Sequence, residues 1–377
     1  NTGVINGTSY GVSVTASSTV TGGITNAGTI SSSNTANNSA INLDASTIDY
    51  LKNSGSLAGA DGILINNATL TSGLTNTGLI NGTTYGIAVT NGGNITSLTN
   101  SGTITGATAA IEVQGSTITN LNNAGSIAGA TALDLASATL ASGLTNTGVI
   151  SGTSYGINLA SSTITGTLTN SGSISGATAI KFASTTVTGD VANSGTITGT
   201  NAGINLASAS LGGNINNAGV INGGSYAIAL NNSTATGVIS NGGSLYGTSA
   251  GLSVNASRVT GSITNTGLLS STTDGISLNA SVISASINNA GLINGNSVGI
   301  NLASSSIGGS LRNTGTITGA NQAMDLVSST IAGGLTNTGS LVASTAVLVN
   351  ASSITGGINN TGVINGTSYG VSVTASS

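Results

Sequence analysis

The chain has 377 residues, of which only 3% are charged and 2% aromatic, with 59 Gly, no Pro, no Cys, no His and a net charge of −4. Four basic residues cannot assemble a phosphate-binding patch, so a nucleic-acid partner is excluded. The missing Cys and His remove disulfide scaffolding, the common zinc ligands and the usual base and nucleophile of hydrolytic sites. No apolar run reaches the ~20 residues of a membrane helix, so membrane insertion by this segment is not expected.

The chain opens on Asn1-Thr2-Gly3, and this Asn-x-Gly motif recurs throughout. Its asparagines are Asn1, Asn26, Asn53, Asn76, Asn100, Asn123, Asn146, Asn170, Asn193, Asn217, Asn241, Asn265, Asn289, Asn313, Asn337 and Asn360. The fifteen steps sum to 359 residues, a mean of about 24. Within a unit the aliphatic residues alternate with small polar ones, which is strand and not helix periodicity. After Asn146 come Ile150, Ile157, Leu159, Ile164 and Leu168; after Asn289 come Ile293, Ile300, Leu302, Ile307 and Leu311.

Three short strands in ~24 residues cannot close a barrel, but they can make one turn of a coil that stacks on the next at ~4.8 Å. The expected fold is therefore an all-β, right-handed parallel β-helix of about fifteen coils with three strands each, roughly 70 Å long and continuous over 1–377. One coil buries too little apolar surface to offset its own ordering, so stability must belong to the stack. The recurring Asn is expected to occupy a left-handed corner and to hydrogen-bond its copies above and below as a structural ladder. The Gly two residues later is expected where no Cβ fits.

Further along, one coil is longer: the 27-residue step from Asn26 contains SSSNTANNSA, Ser31 to Ala40, the one candidate for a cleft-forming insertion. The acids are scattered, about one per coil or fewer. Glu112, between Ile111 and Val113, and Asp134, between Leu133 and Leu135, occupy matching outward positions in adjacent coils. They are the only candidates for a cation or paired-carboxylate site, although two solvated carboxylates on a wet face is the simpler expectation. No cofactor, catalytic residue or enzymatic activity is expected. Thr-x-Thr pairs such as Thr103/Thr105 do not form the regular array that ice binding would need. Sequons such as Asn255-Ala256-Ser257 and Asn350-Ala351-Ser352 are expected by chance in so Asn- and Ser-rich a chain.

A longer rhythm overlies the first. GVINGTSYGV and its variants begin at Gly3, Gly78, Gly148, Gly219, Gly291 and Gly362, every third coil, and carry Tyr10, Tyr85, Tyr155, Tyr226 and Tyr369, with Val298 breaking the series. Residues 1–18 and 360–377 are identical. We read 1–359 as one super-repeat of five three-coil blocks, with 360–377 opening the next copy. The expected partner is the chain itself, through tandem or end-to-end stacking and lateral bundling. Surface glycans are the other expected class of partner.

The coils LTNTGLINGTTYGIAV and LTNSGSISGATAIKF resemble the repeats of autotransporter passenger domains and filamentous-haemagglutinin-like adhesins of Gram-negative bacteria. That resemblance implies secretion and an extracellular, cell-surface location, with a role in adhesion, aggregation or biofilm as a filament or adhesin stalk. The alternative is a carbohydrate-binding or polysaccharide-processing solenoid at the cell surface.

Overall fold

The structure is a computed structural model that describes residues 1–33, 38–375 and 377. Among these residues every regular element is a strand and every strand pairing is parallel. The chain divides into two compact units, Asn1–Gly189 and Asp190–Ser377. Each is a β-solenoid with eight motif asparagines, and the chain holds about fifteen turns in all.

The number of strand segments per turn varies around the expected three. The turn opened by Asn53 has two, Ser56–Asn66 and Thr69–Asn76. The turn opened by Asn146 has three, Val149–Ala160, Thr163–Ile164 and Thr167–Asn170. The turn opened by Asn217 has four, Val220–Gly223, Tyr226–Asn231, Thr234–Ala235 and Ile239–Asn241. The differences lie at two bends, one in each half of the turn. Where the first run stays continuous, the register can shift at the bend, as it does between Gly82 and Tyr85 against the turn before. Where it breaks, two strands replace one. Either way hydrogen bonding gathers the segments into two parallel sheets, a wide one made by the first half of each turn and a narrow one made by the second.

The register stacks like on like. Ile127 pairs with Ile150, and Ile150 with Ile174; Leu121 pairs with Leu144, and Leu144 with Leu168. These aliphatic columns are fully buried and form the core. The outward positions between them carry mostly Ser, Thr, Asn and Ala, so the pleat separates core from surface.

The recurring asparagine is buried and forms the expected ladder, but not in the expected backbone conformation. Asn146 Nδ2 donates to Asn170 Oδ1 at 2.8 Å, to the Gly148 carbonyl at 3.2 Å and to the Ser173 carbonyl of the next turn at 3.1 Å. The same bonds recur from Asn217 to Asn241, Asn265 and Asn289 in the second unit, each at 2.8 Å. No ladder asparagine has a positive φ. The residue was chosen for its paired donor and acceptor, which let identical side chains chain head to tail. The Gly two residues on behaves as expected: a Cβ on Gly148 would lie 2.2 Å from the Gly125 carbonyl oxygen.

The left-handed corner lies elsewhere, about fifteen residues after most of the asparagines, at Ala, Ser or Asn and once at Gly115. Ala256, Ala280, Ser304, Ser328 and Ala351 all have φ between 47° and 50°. Such a conformation costs a small non-Gly residue about 1 kcal/mol, and the serine that follows offsets it. Ser257, Ser281, Ser305, Ser329 and Ser352 are buried, and each hydroxyl donates to the carbonyl two residues back at 2.7–2.8 Å. Each hydroxyl oxygen also accepts the backbone N–H of the equivalent serine one turn earlier, as Ser281 Oγ does from Ser257 at 3.1 Å. This second, serine ladder runs through the second unit from Ala209 to Ser352. In the first unit Ala68, Gly93 and Ala138 interrupt the same column. The sequon hydroxyls of Ser257 and Ser352 are thus internal parts of the fold.

Candidate functional site

The ionisable side chains nearest to forming a site lie on the outer surface of the wide sheet in the first unit. Alternation fixes their face, because Glu112 stands between buried Ile111 and Val113, and Asp134 between buried Leu133 and Leu135. Register then stacks them: Ala88, Glu112, Asp134, Asn158 and Lys181 occupy one column in successive turns. A parallel column brings Asp61, Tyr85, Ala109, Thr131 and Tyr155 alongside.

The predicted neighbours are therefore neighbours, but they are not two freely solvated carboxylates. Glu112 is half-buried, and its carboxyl is pushed up to about 7, chiefly by burial and further by the negative charge of Asp134. Asp134 Oδ1 accepts a hydrogen bond from Asn158 Nδ2 at 2.8 Å. Burial, followed by Glu112, Asp61 and Asp134, also raises the Tyr85 phenol. Lys181 closes the column away from the acids: its Nζ lies 4.8 Å from the Tyr155 ring centre and 3.4 Å from the Tyr155 hydroxyl.

The pair can retain one proton near neutrality, which is the behaviour of close carboxylates out of water. A cation needs more. Among the described residues no three or more His, Cys, Asp or Glu side chains come together. Glu112 and Asp134 have one amide beside them and sit on an open sheet face. Shallow depressions recur along the ladder corner, for example beside Thr264, Asn288 and Arg312, and repeat with the turns. The insertion from Ser31 to Ala40 does not test the cleft expectation, because residues 34–37 lie outside the described ones.

A second acidic pair escaped the sequence reading. Asp274 and Asp325 are two turns apart and in different columns, with Asn301 Nδ2 donating to Asp274 Oδ2 at 2.9 Å. Burial, and then the Asp274 charge, raises the Asp325 carboxyl. Asp274 stands in the tyrosine column, where Tyr226 is succeeded by Ala250 and then by Asp274. The single-turn repeat could have located it, since Asp274 follows Asn265 by nine residues as Tyr226 follows Asn217.

Glu112 sets a pH dependence. Its folded pKa, about 7, lies above the unfolded value near 4.3. The folded state thus holds a proton that the unfolded state releases, and stability falls as pH rises through that window. The loss is fully present above pH 7 and absent below about 4.3. After allowance for solvent screening it should amount to about 1 kcal/mol. Denaturant melts at pH 4.5 and 7.5 should show a smaller pH loss for Glu112→Gln than for wild type; equal losses would contradict the assignment.

Compared with known protein families, with curated proteins and with solved structures, the chain shows no significant match.

Proposed function

We propose that the chain is a structural segment of an extracellular bacterial filament or adhesin stalk, and that it catalyses nothing. The observation that carries this reading is the use made of the buried polar side chains. In each unit the ladder asparagines bond to their own copies and to backbone carbonyls, turn after turn. A recognition or catalytic site would need such groups to converge on a cavity. Here they run along the stack, which makes a stiff, self-supporting element whose length is set by copy number. Sparse charge suits that role, since identical side chains stack without repulsion. The adhesin-like motif strings support the surface location.

Immunogold electron microscopy of intact cells, with antibody raised against the chain, tests the proposal. Unbranched surface fibres labelled along their length are the expected result. Label confined to the cell interior, or to compact particles, would overturn it.

A further inference from the structure

Most large apolar side chains of this chain are in the core, and the exceptions are not scattered. Setting aside the first turn and the residues after Asn350, six large hydrophobic side chains are exposed among the described residues: Leu79, Val149, Val220, Tyr246, Leu292 and Val342, each 37–43% exposed. All six fall on the same short run of the coil, the third or fifth residue after the motif asparagine. These are adjacent outward positions on the wide sheet, separated by one inward aliphatic, as Val220 and Asn222 flank buried Ile221.

The second unit shows the pattern best. One column reads Val220, Ser244, Leu268, Leu292, Thr316 and Ser340 in successive turns. Its neighbour reads Asn222, Tyr246, Ser270, Asn294, Thr318 and Val342. Bulky apolar groups are thus interspersed with small hydroxyl and amide groups at multiples of the ~4.8 Å turn spacing. Neither column carries an Asp, Glu, Lys or Arg side chain in any turn of either unit.

We infer that this stripe, taken in each unit by itself, is a surface through which two copies of the chain pack side by side. The inference rests on the filament reading above and adds its lateral partner. A stripe of apolar groups confined to one face marks an interaction surface. A flat parallel sheet face fits another sheet face, at the ~10 Å separation that lets side chains interdigitate. A second copy offers the same turn spacing, so its bulky groups can meet the small positions here in every block. The uncharged columns remove the repulsion that two like surfaces would otherwise meet. One block contributes little, and many blocks in register bind together, so association strengthens with copy number. A glycan would instead call for rings and convergent hydrogen-bonding groups, and Tyr246 is the one exposed ring among the six.

Sedimentation velocity over a concentration range, with negative-stain imaging of the same samples, tests this on the full chain. The wild type should form laterally paired particles. The double variant Val220→Asp, Leu292→Asp should associate at least about tenfold more weakly, with an unchanged circular dichroism spectrum. A control carrying the same charge on the outer face of the narrow sheet, Thr264→Asp with Asn288→Asp, should pair as wild type does. Wild type that stays single at all concentrations, a stripe variant that pairs normally, or a control that loses pairing equally would overturn the inference. Elongated but single particles would overturn only the lateral contact and leave the filament reading standing; compact particles would remove both. Glycan capture by wild type that stays single would assign the stripe to that other occupant and overturn self-packing.

Discussion

Asn265→Asp should destabilise the second unit by about 3–5 kcal/mol at neutral pH. Asn265 accepts from Asn241 Nδ2 at 2.8 Å and donates to Asn289 Oδ1 at 2.8 Å, to the Leu292 carbonyl at 3.2 Å and to the Gly267 carbonyl at 3.2 Å. Aspartate keeps the first bond and reverses the sense of the others. An anionic oxygen then faces three acceptor oxygens in a buried position, with no cation to pair it. Burial and these acceptors favour the neutral acid, so the folded pKa of the new carboxyl lies above its unfolded value near 3.9. The defect therefore grows as pH rises through and beyond 3.9 and shrinks in acid, where a protonated carboxyl donates again. Urea melts at pH 3.5 and 7 read the effect directly. A defect that is equally large at both pH values would show that shape, not hydrogen-bond polarity, is what the position demands.

Gly267→Ala tests the neighbouring column. A Cβ at Gly267 would stand 2.1 Å from the Gly243 carbonyl oxygen and 2.6 Å from that of Gly242, both backbone. No side chain can rotate out of the way. Relief requires the turns to separate, against the Gly267 N–H to Asn241 carbonyl bond at 3.2 Å and the Leu268 N–H to Gly243 carbonyl bond at 2.9 Å. The expected cost is about 3 kcal/mol or more, the upper range for overpacking a core. Gly22 supplies the contrast, since a Cβ there meets nothing within 4 Å. Gly22→Ala should change stability by less than about 0.5 kcal/mol. Thermal melts showing equal effects for the two variants would refute the close-approach explanation for the Asn-x-Gly motif.

How much of this was legible from the amino-acid sequence depends on how each feature writes itself into the chain. The asparagine ladder was legible because its side chain cannot vary: every turn needs one group with both donor and acceptor at one depth. The glycine column was legible for a similar reason, because any Cβ collides. The Glu112–Asp134 pairing was legible because flanking aliphatics fix the face and the repeat fixes the register. The half-burial of Glu112 was not, since it depends on what the turns on either side place beside it.

The serine ladder was hidden by composition. Serine is everywhere in this chain, and the corner residue before each ladder serine alternates among Ala, Ser and Asn, so no single letter recurs. The left-handed φ was accordingly assigned to the wrong column: asparagine tolerates that conformation, but here its hydrogen-bonding capacity is what each turn uses. The exposed stripe was half-legible. The third-coil rhythm marked Leu79, Val149, Val220 and Leu292 within one motif string, whereas Tyr246 and Val342 join them only once the pleat is known.

The side-chain amides of Asn241, Asn265 and Asn289 offer the most direct probe of the stack. Nuclear magnetic resonance on labelled protein should show Overhauser contacts between Asn241 and Asn265, and between Asn265 and Asn289, residues 24 apart in sequence, with amide hydrogens that exchange slowly with solvent. Side-chain amides that exchange freely, with no contact at that sequence separation, would mean that the turns do not stack in register and that neither ladder exists.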